Sequence, residues 1–325
     1  MTVTTARRTS PATAHALDLV HARRPEADRL GRSLAGLVDD RASFAAALDA
    51  GLRSLADPDY AAGQRRVAPG IGRTLGVRSP LLAAVGRAFR AATRGTSSSA
   101  LLLVADRLLR EAALEPRWFA FGMLERVIAD DPERGWQLLR HSARDAADWI
   151  TIDTLAHAYG RGILDETYRW AELEQLVYSP SRWERRLIGS TVATIPFIDR
   201  RRGRVPDVAR RGLDLVGELI GDAEPDVQKA LAWALRSLVL ADRAAVEAFC
   251  EREAAVAAAG DDGHRAWVVR DALTKLDRPV AERLRARLAG IRRRPGSPPT
   301  SRAAATAGRF AGLGLGRRMP EPPLL

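Results

Sequence analysis

The chain has 325 residues, of which 46% are hydrophobic and 28% charged, a balance typical of a soluble globular protein with a substantial core. No apolar run approaches the roughly 18 residues that a membrane span needs, and the first residues lack the apolar stretch of a secretory signal, so we expect neither and place the protein in the cytoplasm. The single cysteine, Cys250, excludes a disulfide within the chain, disfavours a cysteine-based zinc site and is expected to be a core residue.

The formal net charge of +11 is unevenly distributed along the chain. From Arg292 onward there are seven arginines and one acid, and residues 1–30 hold a smaller excess. Such a charge favours a polyanionic partner, most simply nucleic acid. Because the excess lies mainly at the ends, the part between them must bind DNA through a local patch.

In chain order, residues 1–40 are predicted to be a flexible N-terminal extension with one helix around 26–40. Residues 41–291 carry helical patterns throughout, with almost no alternating strand signal, and form the predicted main domain. Residues 292–325 are rich in Pro, Gly, Ser and Arg and are predicted to be a disordered basic tail.

Four helix starts within the main domain resemble one another. They lie near residues 115, 179, 224 and 261, and each opens with a turn residue, proline or acid followed by a tryptophan: Trp118, Trp183, Trp233 and Trp267. Two tryptophan pairs, 149–183 and 233–267, are 34 residues apart. This spacing predicts an all-α, HEAT-like solenoid of stacked helix pairs with a concave face, the alternative being an irregular helical bundle.

Several standard sites have no candidates. The five histidines form none of the usual metal-ligand pairs, and the chain has neither a phosphate-binding P-loop nor a GxSxG nucleophile motif. We therefore expect no metal and no cofactor.

The remaining candidates are aromatic and charged side chains near helix starts. Trp149 and Asp153 are four residues apart and share one helix face, and Lys229, Trp233 and Arg236 line a stripe on another helix. Taken singly, such tryptophans are usually core residues and such charges usually form ion pairs. In a solenoid, however, equivalent positions of successive repeats collect on one face, and a groove of indoles, arginines and one acid suits a cationic ligand held against DNA phosphates.

Three segments carry a specific resemblance. "DWITIDTLA", "SRWERRLIG" and "VQKALAWALRS", together with "LGVRSPLLAAVGRAF" at 75–89, resemble the motifs of the DNA alkylation repair family, the AlkD-type alkylpurine DNA glycosylases. The resemblance extends from about residue 43 to about residue 290. It implies a HEAT-like fold and a duplex DNA substrate that carries alkylated purines.

The resemblance also implies roles for matching residues. Trp149, Trp233 and the carboxylate of Asp153 would contact the damaged nucleotide, with Asp153 as the catalytic residue, and Arg186 would bind the DNA backbone. We add Arg182, Arg185, Lys229, Arg236 and the arginine run at 200–204 as candidate phosphate contacts.

These residues suit hydrolysis of a glycosidic bond. A purine alkylated at N3 or N7 is cationic and leaves readily, and a carboxylate can stabilise the positive sugar that forms. With only Lys229 and Lys275 as lysines and no obvious Schiff-base candidate, we predict a monofunctional glycosylase. We also expect the protein to be a monomer associated with the nucleoid. The alternatives are a non-catalytic HEAT-repeat scaffold and a protein that binds damaged or branched DNA without excision.

Overall fold

A computed structural model describes residues 11–311 of the chain and contains seventeen α-helices. No β-strand occurs in this range, only two isolated bridges, so the predicted all-α solenoid class is confirmed. Within residues 11–311, no helix is both long and apolar enough to cross a membrane. The helices are α1 (Pro11–Leu34), α2 (Arg41–Ser54), α3 (Pro58–Val67), α4 (Ser79–Ala92), α5 (Ser98–Leu109), α6 (Leu114–Val127), α7 (Pro132–Asp145), α8 (Trp149–Asp165), α9 (Trp170–Leu176), α10 (Arg182–Ile198), α11 (Arg200–Gly203), α12 (Pro206–Leu219), α13 (Pro225–Leu238), α14 (Arg243–Gly260), α15 (Gly263–Ala272), α16 (Arg278–Arg287) and α17 (Arg302–Ala311).

The chain divides into two compact units, one that ends at Met123 and one that begins at Leu124. In the first unit, α1 lies along α4, and the rings of Phe44, Phe89 and Phe119 form a core cluster with centroids 5.5–6.4 Å apart. The contact between α1 and α4 requires Gly31, because a Cβ there would lie 2.3 Å from the carbonyl oxygen of Val85. The helix that the sequence predicts around 26–40 begins earlier, at Pro11, and its contact with α4 packs it into the first unit.

The Leu-Gly-Val turn of the first unit is held by a buried acid. The carboxylate of Glu115, at the start of α6, accepts hydrogen bonds from the backbone N–H groups of Leu75 (2.9 Å), Gly76 (2.8 Å) and Val77 (3.3 Å). Gly76 has φ +86°, a conformation that favours glycine. The motif is thus a carboxylate-bound turn that leads into α4.

The second unit consists of two rows of helices. In one row, α8, α10, α13 and α15 pack side by side, and in the other α9 packs on α12, α12 on α14 and α14 on α16. Further contacts join the rows, including α12 with α13 and α14 with α15. This is the arrangement of stacked helix pairs that the tryptophan spacing predicts.

The helices of the first row run parallel to one another. Contacts between α8 and α10 advance along both helices together, from Asp153 with Ser190 to Ala156 with Thr194. Contacts between α13 and α15 do the same, from Gln228 with His264 to Arg236 with Asp271. The N-terminal ends of these helices therefore lie on one side of the row, and their C-terminal ends lie on the other.

The segment after α16 differs from the predicted disordered tail in the part that the structure describes. Residues 292–301, here called the C-terminal strap, cross the start of α15 so closely that a Cβ on Gly263 would lie 2.2 Å from the carbonyl oxygen of Arg292. The strap ends where the Thr300 N–H donates to the carbonyl of Gly221 (2.8 Å). Next, α17 packs on α12 and buries Ala303 and Ala307. Composition predicted disorder because this segment has little apolar surface of its own, but its bonds are made to the preceding helices; residues 312–325 lie outside the described range.

Two buried side chains, His264 and Gln228, bind the C-terminal strap. His264, only 4% exposed, places Nε2 at 3.1 Å from the carbonyl oxygen of Pro298 and Nδ1 at 3.0 Å from Gln228 Nε2. Arg293 of the strap donates from Nη1 to Gln228 Oε1 (2.7 Å), and its guanidinium lies 5.7 Å from the Trp267 ring.

The strap also contacts Asp262, the residue before α15. Burial alone would raise the pKa of Asp262, but hydrogen bonds from Thr300 and from the backbone and side chain of Arg265 hold that pKa below its usual value.

Candidate active site

The start of α8 places Trp149 and Asp153 one turn apart. Asp148 caps the helix: its carboxylate accepts the Thr151 N–H (2.8 Å) and the Thr151 hydroxyl (2.7 Å), which fixes the first turn. Trp149 is half-buried, and the side chain of Asp153 is 21% exposed. The carboxylate is therefore within reach of solvent and is not enclosed in the core.

Asp153 is held by two side chains of α10. Arg186 donates from Nε to Oδ1 (3.0 Å) and from Nη2 to Oδ2 (2.7 Å), a bidentate pair, and the Ser190 hydroxyl donates to Oδ1 (2.6 Å). A carboxylate offers about four lone-pair positions. The described residues fill two positions on Oδ1 and one on Oδ2, so the open position is on Oδ2.

Arg186 has a different environment from the one predicted. Its side chain is 6% exposed, it donates from Nη1 to the carbonyl oxygen of Asp226 (2.6 Å), and its guanidinium lies 5.8 Å from the centroid of the Trp149 ring. All three guanidinium nitrogens thus bind protein oxygens. A direct contact with a DNA phosphate, as the resemblance implied, would require Arg186 to give up these bonds, so in this conformation it orients Asp153.

Close packing of α10 on α13 supports this arrangement. A Cβ on Gly189 would lie 2.7 Å from the backbone carbon of Ala230, so the two helices approach backbone to backbone. Gly189 lies between Arg186 and Ser190, and Ala230 lies one turn after Asp226. The glycine therefore allows α13 to bring the Asp226 carbonyl to Arg186.

The neighbouring arginines of α10 divide into buried and exposed. Arg185 is buried, donating from Nε to Asp222 Oδ2 (2.7 Å) and from Nη1 to the carbonyl of Ser179 (2.7 Å). It too departs from the predicted phosphate contact, because its charge is neutralised inside the protein. The side chain of Arg182 is 47% exposed, lies 4.7 Å from the Trp183 ring and is 3.4 Å from Glu224.

The predicted stripe on α13 is only partly free. Lys229 is exposed and Trp233 half-buried, whereas Arg236 is bound to α15 through the carboxylate and the carbonyl of Asp271, the latter at 3.1 Å. Trp233 comes seven residues after Asp226, which places it about 10 Å farther along the helix axis. The structure thus groups Trp149, Asp153 and Arg186, while Trp233 lies on α13 about two turns after the Asp226 carbonyl that Arg186 contacts.

The arginine run at 200–204 lies away from this group. It follows the end of α10 at Ile198, twelve residues after Arg186 and thus roughly 18 Å farther along the axis. Arg202 is bound there to Asp199 (2.9 Å) and Asp165 (2.9 Å). This run therefore lies on the side of the row where the helices end, and Asp153 lies nearer the side where they begin.

Two members of the site were not predicted from the sequence. Ser190 lies four residues after Arg186 on the same helix face, a spacing that could have identified it. The backbone carbonyl of Asp226 leaves no sequence signal, because any residue carries one. Cys250 is buried, and burial raises the pKa of its thiol to about 12, in keeping with the predicted core cysteine. The described residues contain no group of three or more His, Cys, Asp or Glu side chains placed to hold a metal ion.

Comparison with known proteins identifies the family. The family model described as DNA alkylation repair enzyme matches residues 48–276, which is more than half of the chain and includes α8, α10 and α13. Neither the comparison with curated proteins nor that with solved structures gives a match. The family match confirms the resemblance carried by the sequence motifs: the chain belongs to the family of DNA alkylation repair enzymes.

Proposed function

We propose that this repair enzyme is a DNA glycosylase that hydrolyses the N-glycosidic bond of cationic N3- or N7-alkylated purines in duplex DNA. The observation that carries the proposal is the Asp153 carboxylate, which is held by Arg186 and Ser190 but keeps an open position on Oδ2 and a partly exposed side chain. A carboxylate placed this way can face a reacting sugar.

The chemistry requires little more than charge and position. An alkylated purine is already cationic, so its bond to the sugar breaks without a strong general acid, and positive charge develops on the sugar. Asp153 stabilises that charge through Oδ2 and orients the attacking water. Arg186 partly neutralises the negative charge of the Asp153 carboxylate. Its two hydrogen bonds also fix the orientation of that carboxylate, so the carboxylate is already in place when DNA binds.

The indole rings of Trp149 and Trp233 would favour binding of a cationic nucleotide over a neutral one. An indole face attracts a cation by about 0.5–2 kcal/mol. Trp149, whose ring lies 5.8 Å from the Arg186 guanidinium, would contact the damaged nucleotide. Trp233, about 10 Å beyond Asp226 along the axis of α13, would contact the same nucleotide or its neighbour.

The exposed cations are the better candidates for phosphate contacts. Arg182 and Lys229, near the beginnings of α10 and α13, are exposed, whereas Arg185 and Arg186 are buried in ion pairs. We propose that the protein acts as a monomer on nucleoid DNA. The excised base leaves an abasic site without a strand break, because the reaction uses water and not a lysine as the nucleophile.

The test is release of free base from methylated duplex DNA. Wild-type protein should release 3-methyladenine or 7-methylguanine, and Asp153→Asn should reduce the single-turnover rate by about a hundredfold or more while DNA binding persists. Asp214→Asn serves as the control, because Asp214 is an exposed carboxylate on α12.

Two results would contradict the proposal. The first is wild-type protein that binds methylated DNA but releases no base. The second is Asp153→Asn protein that releases base as fast as the Asp214→Asn control. A strand break made directly by the wild-type protein would contradict the monofunctional mechanism alone.

A further inference from the structure

The Ser190 hydroxyl is used differently from several other hydroxyls of these helices. A serine or threonine inside a helix commonly bonds the carbonyl one turn back on its own helix. Thr93, Ser142 and Thr154 follow that pattern, with bonds of 2.8–2.9 Å to the residue four positions earlier. Ser190, which is fully buried, instead donates across to the Asp153 carboxylate on α8.

Burial favours this bond. A hydroxyl with no accessible surface is stabilised by a partner inside the protein, since burying it without one is unfavourable. For Ser190, whose side chain has no accessible surface, that partner is Oδ1 of Asp153 at 2.6 Å. The short distance is typical of a hydroxyl that donates to an ionised oxygen.

The bond also distinguishes the two carboxylate oxygens. Oδ1 receives Arg186 Nε and Ser190 Oγ, while Oδ2 receives only Arg186 Nη2. Without the hydroxyl, both oxygens would hold one donor each, and the carboxylate could present either of them or rotate about its bond to Cβ. With it, the position left open for a ligand is on Oδ2.

We propose that Ser190 is a positioning residue of the glycosylase reaction: its hydroxyl occupies Oδ1 of Asp153, so that the ionised carboxylate presents Oδ2 to the sugar and the attacking water. This inference rests on the proposed function. It adds a residue whose removal affects the chemical step and leaves DNA binding unchanged, because the hydroxyl is buried and touches no DNA.

A matched control lies one turn farther along α10. Thr194 is also buried and also faces α8, but its hydroxyl donates to the carbonyl of Ala156 (3.2 Å) and of Thr191 (2.9 Å), not to Asp153. Thr194→Val therefore removes a buried hydroxyl from the same helix contact without touching the carboxylate. Any loss that merely reflects looser packing of α10 on α8 should appear in both variants.

The experiment measures single-turnover base release from methylated duplex DNA at saturating protein across a range of pH. For Ser190→Ala we expect a rate reduced by roughly tenfold, less than the hundredfold that a 1 Å misplacement of a reacting group can cause, with an unchanged dissociation constant for DNA. We also expect the acid side of the rate profile to move to higher pH, because the ionised carboxylate has lost a donor. Thr194→Val should keep the wild-type rate and profile.

Each other outcome decides between the two proposals. If wild-type protein releases no base, the proposed function fails and the role of Ser190 falls with it. If wild-type protein is active but Ser190→Ala matches it in rate and profile, only the role of Ser190 is refuted. If both variants lose activity equally with no change in the profile, the hydroxyl is a packing group and the inference is again overturned.

Discussion

The contact between α8 and α10 and the first part of the contact between α13 and α15 belong to the same row of helices, but they treat polar groups in opposite ways. In the first, a charged pair, Asp153 with Arg186, is left partly open, and the carboxylate side chain keeps 21% of its surface exposed. In the second, two neutral side chains, Gln228 and His264, are buried and the C-terminal strap covers them. The first contact therefore keeps a charged group accessible to a ligand, whereas the Gln228–His264 pair is enclosed.

Solvation explains why the two contacts differ. An ionised carboxylate is costly to bury even when it is paired, and the partial exposure of the Asp153 side chain reduces that cost. Neutral amide and imidazole groups can be buried fully when every donor and acceptor is satisfied. At Gln228 they are: its amide donates to the Asp222 carbonyl and its oxygen accepts from Arg293.

Breaking the charged contact should have the largest effect. Arg186→Gln removes the bidentate partner of Asp153 and the donor to the Asp226 carbonyl, leaving a carboxylate and a carbonyl unpaired. We expect the free energy of unfolding to fall by about 3 kcal/mol and base release to be lost. Chemical denaturation and the base-release assay measure the two effects.

Arg182→Gln is the matched control for that change, since Arg182 is on the same helix but its side chain is 47% exposed. Its free energy of unfolding should stay within about 0.5 kcal/mol of the wild-type value. Equal destabilisation by the two substitutions would mean that the buried pair contributes no more than a surface charge.

Breaking the neutral contact should affect stability alone. His264→Ala leaves Gln228 Nε2 without its imidazole partner and removes a side chain that the C-terminal strap covers. We expect a loss of about 2 kcal/mol in the free energy of unfolding. The rate of base release per folded molecule should not change, which a single-turnover assay well below the melting temperature would show. A loss of activity as large as that of Asp153→Asn would place His264 in the active site and overturn the comparison.

The smallest effect is expected at an exposed cation of the row. Lys229→Gln should weaken DNA binding and reduce the slope of log affinity against log salt by about 0.9, the change for one lost phosphate contact. The control is Lys275→Gln, the other lysine of the chain, which is exposed after α15. Identical slopes for both variants would remove Lys229 from the DNA-binding surface.

The sequence was sufficient for the fold and for part of the site. The helix starts near 179, 224 and 261 correspond to α10, α13 and α15, because Pro225 and the capping residue Asp262 are local signals. The shared face of Trp149 and Asp153 follows from helix geometry alone.

What the sequence could not provide was the partner of each charge. Arg182, Arg185 and Arg186 are alike in the sequence, yet one is exposed and two are buried, a distinction that arises only when α13 brings Asp222 and the Asp226 carbonyl to α10. The C-terminal strap was missed for a related reason. Its own composition predicts no structure, and its order comes from contacts with residues up to 79 positions earlier.

The C-terminal strap also changes how the second unit should unfold. In a simple repeat array each repeat contacts only its neighbours, so the last repeat can open alone. Here the backbone bond from Thr300 to Gly221 and the packing of α17 on α12 join residues 300–311 to a helix well before the last repeat. Opening α16 would disturb α12 and α15 at once, so amide hydrogens from α12 to α16 should exchange as one cooperative group instead of progressively from the end.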